Sequence, residues 1–135
     1  MARTNIYLNF QGNTEEAFNF YKSAFKTEFV TPFMYQKDAP EEESNKVMHV
    51  SLPLLGGVLI MGTDMLESMG HKLRVGNNFT ISLEPDTKEE ADRLYNILSQ
   101  GGSENVAPHD EFWGYWGVCL DRFGIRWMFN VMKQQ

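Results

Sequence analysis

Three histidines, one cysteine and a paired set of methionines are the residues of this 135-residue chain whose chemistry invites a role. His49 lies in the apolar run Val47-Met48-His49-Val50 and is the candidate catalytic residue. Imidazole titrates near neutrality, so His49 could serve as a pocket base or ligand contact. It could equally be a strand histidine hydrogen-bonded to a neighbour. His71 falls in a loop and His109 sits beside Asp110 and Glu111; both are expected at the solvent. No two histidines have the i, i+4 spacing of a helical zinc motif, and no triad follows from spacing. Cys119, the single cysteine, can form no internal disulfide. Its setting, Trp116-Gly117-Val118-Cys119-Leu120, predicts a buried, inert thiol.

Met34, Met48, Met61, Met65, Met69, Met128 and Met132 would either fill the core or floor an adaptable apolar pocket. Trp113, Tyr115 and Trp116 either pack structurally or form a stacking wall for an aromatic or cationic ligand. The wider composition, with ten Phe, five Tyr and three Trp, suits a strand-rich core or a ring-lined cavity.

The elements that must position these residues come in two similar halves. Glu15-Glu16-Ala17 with Tyr21 recurs as Glu89-Glu90-Ala91 with Tyr95, and Gly57 to Met61 answers Gly124 to Met128. Alternation of Ile6, Leu8 and Phe10 predicts a first strand over 5–10. Asn13 or Thr14 caps a helix to about residue 26, with Ala17, Phe20, Tyr21, Ala24 and Phe25 inward. Strands follow near 28–36, 47–54 and 58–62, the last two joined by a turn at Gly56-Gly57. A loop over 63–76 connects to a strand at 78–84, then a helix capped by Asp86 or Thr87 and running through Leu98. Gly101-Gly102 stops it, and strands near 104–108, 114–121 and 125–131 complete the chain. The order is βαβββ–βαβββ in one α+β domain spanning 1–135, with module one over 1–72 and module two over 73–135.

The net charge of −6 and the acidic run Glu41-Glu42-Glu43 exclude the basic surface that nucleic acid requires. No apolar stretch reaches the roughly 20 residues of a membrane span, and no basic-then-apolar leader opens the sequence. A cytoplasmic protein is expected, with neither nucleic acid nor membrane as partner.

The opening Asn9-Phe10-Gln11-Gly12-Asn13-Thr14-Glu15-Glu16-Ala17 with Phe20-Tyr21, and the closing Trp113-Gly114 with Asp121-Arg122-Phe123-Gly124-Ile125-Arg126-Trp127, resemble one family. It is the PhnB-like, glyoxalase/bleomycin-resistance-like branch of the vicinal-oxygen-chelate superfamily. The resemblance covers nearly the whole chain. It implies two tandem βαβββ modules whose mixed sheets form a cup. In metal-using members, His, Gln and Glu from the first and last strands of each module would hold a divalent ion there. The resemblance also implies a homodimer.

Carried onto this sequence, the ligand positions fall at Ile6 (or Tyr7, one residue along), Met61, Asn78 or Thr80, and Met128. Thioethers, a hydrocarbon and a neutral oxygen do not suit a hard cation. No metal and no other cofactor is therefore expected. The pocket would be lined by Ile6, Leu8, Phe33, His49, Met61, Asn78, Thr80, Trp113, Trp116 and Met128.

The favoured function is binding of a small, aromatic or hydrophobic molecule. The alternatives are a superfamily enzyme, either metal-dependent through displaced ligands or acid–base through His49, and a domain whose pocket is filled by Phe33, Met61 and Trp127. A methyltransferase label attached to sequences of this branch has no support here. Gly56-Gly57 joins two strands and Gly101-Gly102 ends a helix, so neither is a nucleotide loop.

Overall fold

The computed structural model describes residues 1–133, which divide into two compact units, Met1–Arg74 and Val75 onward. In the first unit, β1 (Ile6–Phe10) leads through a tight turn into α1 (Thr14–Phe25), then β2 (Thr31–Tyr35), β3 (Val47–Pro53) and β4 (Leu59–Asp64). The second repeats the series with β5 (Ile81–Leu83), α2 (Lys88–Leu98), β6 (Ser103–Glu111), β7 (Gly114–Leu120) and β8 (Arg126–Met132). The strand orders are β1-β4-β3-β2 and β5-β8-β7-β6, so the duplication holds at the level of topology. In each sheet the first strand lies parallel to the last, and the remaining pairs are antiparallel.

Period-2 alternation decides which side chains meet the helix. In the first unit Phe10 meets Phe18 edge-on at 6.2 Å, and Gly62 opens the space in which that ring sits. Leu8, Phe10, Val50, Leu52 and Ile60 are buried on this helix side. The inward stripe of α1 is Ala17, Phe18, Tyr21, Ala24 and Phe25; Phe18 is fully buried where Phe20 was expected. In the second unit Trp127 and Phe129 are wholly buried, and Tyr95 of α2 stands edge-on to Phe129. Trp127 is therefore a core residue and not a plug for an open pocket.

Two buried carboxylates tie the turns. Asp64, 3% exposed, accepts from the Gly12 and Thr14 amides and the Thr14 hydroxyl through Oδ1, and from the Val47 amide through Oδ2. It thereby satisfies α1's first donors, and the Asn13 side chain makes no capping bond. Asp121, also 3% exposed, accepts from the Phe123 and Ile125 amides through Oδ1 and from the Trp127 indole N–H through Oδ2. α2 is capped locally instead, with the Glu90 amide donating to the Thr87 hydroxyl at 3.1 Å.

Strand limits differ from the sequence reading where side chains compete with the ladder. β5 is only three residues long, because Asn77 turns aside to Glu104 and Phe79 stays 60% exposed. Both edge strands β2 and β6 carry register shifts, which accommodate Pro32 and let β6 run through Pro108 to Glu111.

Candidate ligand-binding faces

With one face of each sheet occupied by its helix, the opposite face carries the remaining side chains. On the first sheet Tyr7 lies opposite Met61, and Met61 opposite Ser51. Alternation puts His49 on this face as well, where its Nδ1 is 2.9 Å from the Tyr7 hydroxyl, a contact that spans β4. Burial raises the Tyr7 pKa above the ordinary phenol value, so this group stays a neutral phenol near pH 7. The face thus joins a polar pair, Tyr7 and His49, to a thioether, Met61. A concavity of about 380 Å³ lies along the edge strand β2, lined by Phe33, Met34, Tyr35, Gln36, Lys37, Asp38 and Met48.

On the second sheet Ser82 lies opposite Met128, and Met128 opposite Val118. One step along, Arg126 donates to the Thr80 hydroxyl at 2.6 Å. Trp116 pairs with Asn130, whose Oδ1 also accepts from the Trp113 indole at 3.1 Å. A separate concavity of about 520 Å³ lies at the start of α2, among Thr87, Lys88, Asp110, Tyr115 and Met132. None of the residues expected in the pocket lines it.

The structure therefore gathers Met61 and His49 on one face, and Thr80, Trp116 and Met128, with Trp113 alongside, on another. Two expectations are corrected. Leu8 is 5% exposed and belongs to the core beneath α1, and Ile6 shares its side of β1, so Tyr7 is the residue of the opposite face. Asn78 precedes β5 and is exposed; Ser82 is the residue across from Met128. The cause is shared: in a strand covered by a helix, the apolar alternation marks the helix side and the polar residues mark the other. Sequence reasoning missed Ser82, Arg126, Asn130 and Glu104. Arg126 had one signal, a lone charge at the start of the largely apolar run expected as the last strand, 125–131.

Where the resemblance would carry the ligand set, the first sheet offers the Tyr7 phenol and the Met61 thioether, and the second offers the Thr80 and Ser82 hydroxyls and the Met128 thioether. None is an imidazole or carboxylate, and soft sulfur does not complement hard Mg²⁺ or Ca²⁺. The chain does not fit the group.

Of the other histidines, His71 lies in the loop that follows β4, and His109 stands across from Trp116 with its ring edge-on at 5.9 Å. His71 offers its carbonyl to Gln11 at 3.2 Å. His109 bonds the Ala107 carbonyl and the Glu111 carboxylate, which together raise its pKa, the carbonyl most. Cys119 is fully buried, and desolvation pushes its thiol up to about 12. Iodoacetamide at pH 8 is expected to leave native protein unmodified and to alkylate Cys119 fully in denaturant. Rapid labelling of the native protein would contradict that placement.

A family model described as 3-demethylubiquinone-9 3-methyltransferase matches residues 2–130. Among solved structures, protein PA1353 from Pseudomonas aeruginosa is 31% identical, with a TM-score of 0.86 over 99% of this chain and 100% of that one. A Bacillus cereus PhnB protein bearing the same methyltransferase name is 23% identical, with a TM-score of 0.81 over 96% and 99% of the two chains. A glyoxylase/bleomycin resistance protein/dioxygenase domain from Frankia sp. EAN1pec shares the fold at 11% identity, with a TM-score of 0.66 over 98% of each chain.

Proposed function

We propose, from the premise that the chain belongs to the 3-demethylubiquinone-9 3-methyltransferase family, PhnB-like and with the glyoxalase/bleomycin-resistance fold, that it is a small-molecule-binding protein working without the superfamily's metal. One observation supports this reading: Tyr7 lies across from Met61 and Ser82 across from Met128, on the first and last strands to which the resemblance assigns the ligands of metal-using members. In place of anionic donors these faces offer thioethers and rings, which suit a flat, largely apolar ligand held by dispersion and a few hydrogen bonds. On this reading residues 1–135 work as a single domain, in the cytoplasm, as a homodimer.

The methyltransferase name of the family is not taken as the activity. Each sheet has one parallel pair and no doubly wound run. At the β1–α1 junction, the amides of Gly12 and Thr14 are already occupied by Asp64. A nucleotide-type methyl donor would need such amides and a glycine-rich loop.

A second reading rests on the Tyr7–His49 contact. In the tautomer whose Nδ1–H donates to the Tyr7 oxygen, Nε2 of His49 keeps its lone pair and would take a proton from a substrate, giving a metal-free acid–base enzyme.

Both readings meet the same experiment, thermal shift and calorimetry with a panel of flat aromatic molecules, with and without chelator. Binding is expected to survive chelation. His49→Ala is expected to weaken it by about tenfold, the worth of one well-placed polar contact, at an unchanged melting temperature. Affinity unchanged in His49→Ala would remove that residue from the site, and binding abolished by chelator would overturn the metal-free reading. Turnover lost in both His49→Ala and Tyr7→Phe would favour the enzyme.

A further inference from the structure

We infer that Arg126 anchors an oxyanion of the ligand, a carboxylate or phosphonate, on the second sheet, and that Glu104 is its built-in stand-in. This deepens the small-molecule reading by assigning a charge to the ligand.

Arg126 is the first residue of β8, and alternation places it on the face shared by Thr80, Ser82, Met128 and Asn130, away from Trp127 and Phe129. Its side chain is 26% exposed. A guanidinium has five N–H donors in a rigid fork. Among the described residues it gives one hydrogen bond, to the Thr80 hydroxyl at 2.6 Å, and approaches Glu104 only to 4.0 Å. The chain shows elsewhere what a satisfied arginine looks like: Arg93 grips Glu90 through both Nε and a terminal nitrogen, at 2.6–3.1 Å. Arg126 is held in place by a hydroxyl yet left with most of its fork unused.

Glu104 is the counterpart. It is one of two non-glycine residues with positive φ among the described residues, at +53°, and it falls in the register shift of β6 between Ser103 and Val106. A bulge with a left-handed non-glycine residue costs about 1 kcal/mol or more and re-aims a side chain. Here it turns a carboxylate toward Arg126, where the Asn77 amide steadies it at 3.0 and 3.1 Å. At 43% exposure and 4.0 Å, the pair is too loose and too hydrated to serve as a structural tie. It is close enough to keep Arg126 from standing uncompensated. A ligand oxyanion entering bidentately would replace a long, screened contact with two short charge-assisted bonds. The Thr80 and Ser82 hydroxyls lie alongside, and Met128 provides an apolar floor for the rest of the molecule.

The test compares benzoate, phenylphosphonate and benzyl alcohol as probes, by calorimetry on the full chain. Wild-type protein is expected to bind the better of the two anions at least about tenfold more tightly than the alcohol, with the preference falling as salt rises. Arg126→Met should erase that preference in protein that melts as wild type does, and Arg126→Lys should keep part of it. Glu104→Gln should strengthen anion binding severalfold. Whether benzoate or phenylphosphonate binds better identifies the oxyanion. Equal binding of alcohol and anions, or a preference that survives Arg126→Met in folded protein, overturns the assignment of charge but leaves the small-molecule reading standing. Failure of all three probes to bind overturns both.

Discussion

Asp64→Ala is expected to destabilise the protein by about 3–4 kcal/mol, the largest effect of any single polar truncation in the first unit. Four donors converge on this one carboxylate, from Gly12, Thr14 (two) and Val47, and it is 3% exposed. Removing the acceptor strands buried amides, each costing about 1–3 kcal/mol if no water enters, and partial relaxation brings the sum down. Asp64→Asn separates charge from shape. Its carbonyl can replace Oδ1, but its amide then meets the Val47 N–H donor to donor, so a cost of about 1–3 kcal/mol should remain. Urea unfolding followed by circular dichroism measures both. A shift in midpoint worth under 1 kcal/mol for Asp64→Ala, at unchanged m-value, would show that the carboxylate is not what closes the β1–α1 turn.

Asp121→Ala is the second large effect, at about 3 kcal/mol, and it carries a spectroscopic mark. The Trp127 indole, wholly buried, donates to Oδ2 at 2.8 Å and would lose that acceptor. The Phe123 and Ile125 amides lose theirs in the hairpin between β7 and β8. In Asp121→Asn, an amide oxygen placed toward the two backbone donors leaves its NH₂ facing the indole N–H; the flipped amide merely moves the conflict. Tryptophan emission should therefore change in both variants, with stability lost more in the alanine form. Wild-type emission together with wild-type stability in Asp121→Ala would refute the role given to this residue.

Most of the fold was legible because it rests on local signals. The strand alternation, the acidic first turns of both helices and the glycine turns each state their element without help from elsewhere. The duplication supplied the topology, since a unit used twice must close the same way twice. The candidate site was half legible. Met61 and Met128 follow from the repeat, and both sit across from the first strand of their own module. Ile6 and Leu8 were misplaced because alternation names two faces without saying which one the helix takes. Only the packing of Phe10 on Phe18 decides that, and it is a tertiary contact. Glu104 was illegible for a different reason. Its direction depends on a bulge in an edge strand, and a bulge is fixed by pairing across β7. Asp64 shows the same limit. Read locally it is one more polar loop residue, while in space it replaces the cap that Asn13 promised.

The parallel pairing of β1 with β4 has a consequence on the ribosome. Ile6–Phe10 has β4 as its strand partner, so the nascent chain must carry it from residue 10 to residue 59 with no strand to join. At about 5–20 residues per second that interval lasts seconds, during which an apolar segment stays without its sheet. Leu59–Asp64 then brings both the missing ladder and the carboxylate that locks the β1–α1 turn, so one short stretch completes the first unit. Val75 onward repeats the wait, with Ile81–Leu83 held open until Arg126–Met132 is made. Synthesis therefore proceeds as two closures in series, each finished by its last strand, and the hazard of misassociation is confined to the gaps before them.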